Sequence, residues 1–244
     1  MLGKSLLKFT FLLIGAVVFM MMDSQRCLGS QNISRDLIYC PLEQTVNTKP
    51  EKMPGGKVEI IINTDKKTLT VLDRGQEFKT FRVAVGEDET PTPVGEWKIK
   101  RKAKHWGTGF GTRWMGLNVP WGIYGIHGTN KPWSIGTQAS HGCIRMMNRD
   151  VEQLYEWVEP GTTVRIVGEV YSPYYENRNK VHKGHKGTVV MLVQKGLIAE
   201  GYLKGQVDGI FGPATEEALK KLQKDRGFEV TGQVDVDIWG VLGL

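Results

Sequence analysis

The residues of this chain able to do chemistry gather in two short runs. The first is Gly125-Ile126-His127-Gly128-Thr129, and the second is Ser140-His141-Gly142-Cys143-Ile144-Arg145. A cysteine attacks as its thiolate, so it needs a base within reach to take its proton. His127 is the candidate base for Cys143, provided the chain between them folds back. Gly128 and Gly142 leave the backbone beside both groups unscreened, so a substrate carbonyl can approach closely. The amide N–H groups of Gly142 and Cys143 can then hold a developing oxyanion. Arg145 and Arg149 bring positive charge, which favours the thiolate and can pair with a substrate carboxylate. The same residues admit plainer readings: Cys143 as a buried thiol or half a disulfide, His127 and His141 as packed core histidines. Zinc held by His127, His141 and Cys143 is a further arrangement. The chain has no CxxC pair and no HExxH helix, however, so no metal or other cofactor is expected.

Positioning these groups falls mostly to strands. Residues 58–62 and 68–72 read as a hairpin across 63–67. Alternation continues through 78–85 and 95–100, a short apolar run covers 122–126, and 162–167 closes the series. Strands at this spacing, separated by Gly and Pro turns, predict a β-sandwich or barrel. His127 then ends a strand and Cys143 lies in a loop. One helix follows. Asn148 is its candidate cap, Val151, Leu154, Tyr155 and Val158 form its apolar stripe, and Pro160-Gly161 stops it. Trp114, Trp121, Tyr124 and Trp133 flank the two runs; they can line a substrate cleft, but core packing is expected for most of them. Farther on, helices are predicted over 189–197, 215–226 and 236–244. Two similar Gly turns at 208–213 and 230–234 read as a degenerate internal repeat.

Composition sets the outer bounds. With 244 residues, 40% hydrophobic and 24% charged, the chain holds one large domain or two small ones, and is neither collagen-like nor a disordered acidic tail. A net charge of +6 suits anionic surroundings. The basic run of Lys98, Lys100, Arg101, Lys102 and Lys104 reads as a solvated strand end or a contact to an anionic polymer, and no nucleic-acid partner is expected. Lys4 and Lys8 precede an uncharged apolar stretch, residues 9–22, closed by Asp23. That is the pattern of an export signal, or of a membrane anchor if retained. The remainder is then extracytoplasmic, where Cys27 and Cys40 either pair or stay free in a linker. The expected organisation is 1–24 signal or anchor, 25–56 linker, 57–168 β domain, 169–186 linker and 187–244 helical module.

The segment from His127 to Arg145, continuing through Leu154, resembles the active-site signature of the L,D-transpeptidase catalytic family. The stretch Val85-Gly86-Glu87-Asp88-Glu89-Thr90-Pro91-Thr92-Pro93-Val94-Gly95-Glu96-Trp97 is similar to a second motif of that family, in the right order. The resemblance covers about residues 57–168. It implies a mainly β catalytic domain with a β-sandwich or barrel-like fold, working in the cell wall or envelope. Cys143 is then the nucleophile and His127 the general base, oriented by the carbonyl of Gly128. Ser140, His141 and Gly142 shape the oxyanion loop, and Arg145 supports that loop or faces substrate. The partners implied are donor and acceptor stem peptides of peptidoglycan, with carbapenem-type β-lactams as covalent inhibitors. The implied activity is 3→3 cross-linking through a thioester with release of D-Ala. Hydrolysis by the same site, as an L,D-carboxypeptidase, is the alternative, and a non-catalytic wall-binding protein is a remoter one. Residues 187–244 resemble a three-helix peptidoglycan-binding domain, with Asp208, Gly209, Phe211 and Gly212 as turn formers or ligand contacts.

Overall fold

The structure is a computed structural model that describes residues 53–170 and 180–244. The apolar N-terminal stretch, Cys27 and Cys40 lie outside these residues. Among the described residues no helix is long and apolar enough to cross a membrane.

The first part is mostly β. Among the described residues ten strands form: β1 Val58–Asn63, β2 Thr68–Asp73, β3 Gln76–Arg82, β4 Val85–Gly86, β5 Gly95–Lys104, β6 Arg113–Leu117, β7 Gly125–His127, β8 Gln138–Ser140, β9 Ile144–Arg145 and β10 Thr163–Val167. Eight build one sheet in the order β3-β2-β1-β10-β5-β6-β7-β9, and β4 pairs with β8. The period-2 patterns explain which face turns inward. Ile60 and Ile62, Leu69 and Val71, and Val164 and Ile166 are fully or almost fully buried in one core. The helix α1 Asn148–Trp157 lays Val151 and Leu154 into the same core.

Several expectations need correction. The alternation through 78–85 is not one strand. The chain leaves the sheet after Arg82, and Ala84 exchanges two 2.9 Å backbone bonds with Arg145. β4 can then pair in parallel with β8, next to the Cys143 loop. The run 122–126 becomes a strand only from Gly125, and Ile123 stands 78% exposed. Strands β6, β8 and β9 carry no long alternation of their own. Asn148 does not cap α1. Met147 occupies the cap position without a side-chain bond, and Asn148 Oδ1 instead accepts the Thr129 N–H at 3.0 Å.

Among the described residues the second part holds three helices: α2 Thr188–Ala199, α3 Pro213–Asp225 and α4 Val236–Val241. The last is shorter than the sequence pattern predicts. Their apolar faces enclose Val193, Leu197, Phe211, Leu219, Leu222 and Ile238 in a separate core. Val181 pairs with Val234 and Lys186 with Ile210, so the chain joins the module before residue 187. The internal repeat has a physical basis. Gln194 of α2 is buried and clasps the loop after it, donating to Asp208 Oδ1 and accepting from Gly209 N–H, both at 2.8 Å. Gln223 of α3 does the same to Thr231 Oγ1 and Gly232 N–H.

Candidate active site

Parallel pairing of β7 and β9 sets Ile126 beside Ile144 and His127 beside Arg145. Ile126 and Ile144 belong to the core. Side chains alternate along a strand, so His127 and Arg145 project from the opposite face. Cys143, one residue before β9 and two before Arg145, joins them there. Its Sγ lies 3.9 Å from the Ile123 carbonyl. Among the described residues Cys143 is a free thiol, and no group of three or more His, Cys, Asp and Glu residues has the geometry to hold a metal.

His127 is 3% exposed and held on all sides. Its Nδ1–H donates to the Gly128 carbonyl at 2.5 Å, and the Phe110 backbone also engages the ring. The ring stacks on Trp114 at 5.5 Å and meets the edge of Phe110 at 4.9 Å. Trp114 stacks in turn on Trp106, whose outer face carries the Arg101 guanidinium at 4.1 Å. A register shift between Ile99 and Arg101 produces that contact, because it breaks the alternation of β5 and leaves both Lys100 and Arg101 exposed. Burial pushes the His127 imidazole down to about 4, helped by the Arg145 charge and opposed by the Gly128 carbonyl. Burial also raises the Cys143 thiol, and the Gly125 backbone and Arg145 only partly offset it. The resting pair is therefore neutral thiol and neutral imidazole. Arg149, expected to help the thiolate, is exposed and paired with Asp150 at 3.3 Å.

The loop before Cys143 is a tight turn. Ser140 is buried; its hydroxyl donates to the Cys143 carbonyl at 2.5 Å and accepts the Gly142 N–H at 3.2 Å. Gly142 has φ +97°, and a Cβ there would sit 2.6 Å from the Tyr124 ring. That glycine is required by conformation and by space together. At Gly128 the reason differs from the expected open approach. A Cβ would lie 2.2 Å from Asn148 Oδ1, so α1 fills the gap. His141 is exposed and lines a cleft beside Tyr124.

Trp114 is buried as expected of a core aromatic, whereas Trp121 and Tyr124 line clefts and Trp133 is 75% exposed. Tyr124 and Asn148 were named in the sequence, but not for the contacts they make. Their roles arise from contacts with residues 18 and 20 positions away. In the helical module, Asp208, Gly209, Phe211 and Gly212 have structural duties. Asp208 Oδ1 accepts from Gln194 and from the Ile210 N–H, Phe211 is 1% exposed in the core, and Gly212 precedes α3. Gly209 meets the β domain. With φ +69°, its absent Cβ would be 2.4 Å from the Trp121 ring.

Residues 57–166 match the family described as L,D-transpeptidase catalytic domain, and residues 186–242 match a peptidoglycan binding domain family. The chain is 42% identical over 117 residues to the YkuD protein of Bacillus licheniformis, provisionally named an L,D-transpeptidase. That match covers 48% of this chain and 68% of the relative. Identity to the Bacillus subtilis YkuD protein is 44% over 107 residues, covering 44% of this chain and 64% of that one. A solved L,D-transpeptidase from Mycobacterium smegmatis has 22% identity and a TM-score of 0.40, covering 46% of this chain and 59% of its own.

Proposed function

Because the chain belongs to the L,D-transpeptidase family, we propose that it forms 3→3 cross-links between peptidoglycan stems outside the cytoplasm, with Cys143 as nucleophile. The observation that carries this reading is the shared face of β7 and β9. His127 pairs in register with Arg145, and Cys143, two residues before Arg145, falls on the same side by the alternation of β9. As Sγ bonds to the carbonyl carbon linking the third residue of a tetrapeptide stem to its D-Ala, its proton passes to His127 Nε2. A neutral pair makes this transfer concerted with attack, since neither ion is stable beforehand. The oxyanion is held by the Cys143 N–H, with the Gly142 N–H as second donor once its 3.2 Å bond to the Ser140 hydroxyl is exchanged for the substrate. The C–N bond then breaks, the proton returns to the departing D-Ala amine, and a thioester remains. The side-chain amine of an acceptor stem attacks that thioester. Its proton goes to His127, and the thiol is restored as Sγ leaves and is reprotonated. A carbapenem, with a strained amide carbonyl, acylates the same sulfur. The helical module keeps the enzyme on polymeric substrate.

The test uses the full chain with purified tetrapeptide muropeptides. D-Ala release and cross-linked dimers are expected by mass spectrometry, and Cys143→Ala should abolish both. Release that survives Cys143→Ala would overturn the nucleophile. Release without dimers would identify a carboxypeptidase instead.

A further inference from the structure

The turn that carries Cys143 is gripped from two sides. On one side is the Tyr124 ring, which lies between two glycines. A Cβ on Gly122 would stand 2.7 Å from one edge of that ring, and a Cβ on Gly142 would stand 2.6 Å from the other. On the second side is the β4–β5 loop, whose Pro91 carbonyl would be 3.2 Å from the same Gly142 Cβ. That loop is tied to the strand before the turn, since the Glu87 N–H donates to the Ser140 carbonyl at 2.9 Å. The two jaws are joined behind the turn. The Trp121 indole engages the Tyr124 hydroxyl, which lies near enough to Cys143 to feel its charge. Trp121 meets Trp97 edge-on at 5.3 Å, and the Trp97 indole N–H donates to the Pro93 carbonyl at 2.9 Å. Both jaws also rest on the helical module. Gly209 seats the Trp121 ring, with Met191 of α2 3.0 Å from the same missing Cβ, and Thr188 Oγ1 donates to the Val94 carbonyl at 3.5 Å.

We propose that the docked helical module positions the Cys143 turn, with Trp121 and Tyr124 as the positioning residues between them. The proposal rests on the cysteine-nucleophile reading and gives the module a part in catalysis besides attachment to the wall. Gly142 is the reason the turn needs outside support. At φ +97° it adopts a conformation that only glycine enters freely, and glycine is also the residue with the most freedom to leave it. It has no side chain to lock itself in place, so the Tyr124 ring and the Pro91 carbonyl must do so. The Cys143 sulfur and the two N–H groups of the oxyanion hole are placed only as well as that turn is held. Loosening the module's seat under Trp121 therefore loosens the nucleophile, with no contact between module and substrate required.

The experiment uses the full chain and soluble tetrapeptide stems, so that wall attachment has no part. Gly209→Ala puts a methyl group into the Trp121 ring at φ +69°. Gly201→Ala is its control: in the same module, at φ +79° and with nothing within 4 Å, it carries the backbone penalty without the contact. Two rates are read, kcat of D-Ala release and alkylation of Cys143 by iodoacetamide, which needs no stem. Against Gly201→Ala, both should fall roughly ten-fold in Gly209→Ala while KM for the stem stays within about two-fold, because a small displacement of a reacting group costs rate steeply. Trp121→Phe approaches the same contact from the β domain, should show the same split, and decides the matter if Gly209→Ala does not fold. Rates equal to those of Gly201→Ala would overturn the proposal. So would a raised KM at unchanged kcat, which would make the module a substrate contact alone. An unmodified chain that releases no D-Ala sinks the enzymatic reading, and the alkylation rates still decide whether the module positions the turn.

Discussion

His127 shows how far a side chain's surroundings decide its chemistry. Stacked on Trp114 and buried, it titrates near 4, against 6.5 for a free imidazole. The unfolded chain therefore binds a proton at this residue from about pH 6.5 downward, and the folded chain does not until about pH 4. Stability must fall as pH falls through that window, by on the order of 3 kcal/mol from this group. His127→Phe keeps an aromatic ring in the stack and removes the titration. Thermal unfolding followed from pH 7 to pH 4.5 should show a clearly shallower loss for the variant; parallel curves would mean that other groups set the acid sensitivity. Catalysis should persist over the same window, because the base stays neutral. Cys143, His127 and Gly142 stand out in the sequence as the residue types that the proposed chemistry would demand. The contacts of Tyr124, Trp106 and Asn148 were not legible, since each exists only once strands and helix have met.

Among the elements, long regular strands announced themselves and short ones did not. β1, β2 and β10 bury alternate residues over whole strands, so their pattern is visible in the sequence. β8 and β9 are three and two residues long, too short for any period to emerge. Their partners, β4 and β7, define them, and that information is not local. The two glutamine clasps of the module were legible only as similar Gly turns. They now allow a comparison. Gln194→Ala strands the buried Gly209 N–H, and Gln223→Ala strands that of Gly232, at about 1–3 kcal/mol for each unsatisfied group. Urea denaturation should register comparable losses in both. Only the first loop rests on Trp121, so dimer formation should fall several-fold in Gln194→Ala and hold in Gln223→Ala. Equal activity in the two variants would show that the loop's position does not reach the cleft.

On the scale of the whole molecule, the expected picture was a catalytic domain and a helical module joined by a linker. The domain classes were legible, but their contact was not, because neither Gly209 nor Trp121 carries a signal that names the other. The module's Met191 and Val207 pack with the β domain's core. Described residues of both parts should accordingly unfold together, giving one calorimetric transition. Gly209→Val introduces a β-branched side chain at φ +69° and into the Trp121 ring, so it should split that transition in two. A single transition in the variant would show that other contacts couple the parts. The same contact bears on how such proteins are assembled from parts. Where a glycine's missing methyl is the socket for a neighbour's indole, the socket and the indole are one inheritance divided between two domains. A helical module grafted from a relative would need its own glycine at this turn, and its host a tryptophan at the matching point. Without both, the graft would fold and still hang loose.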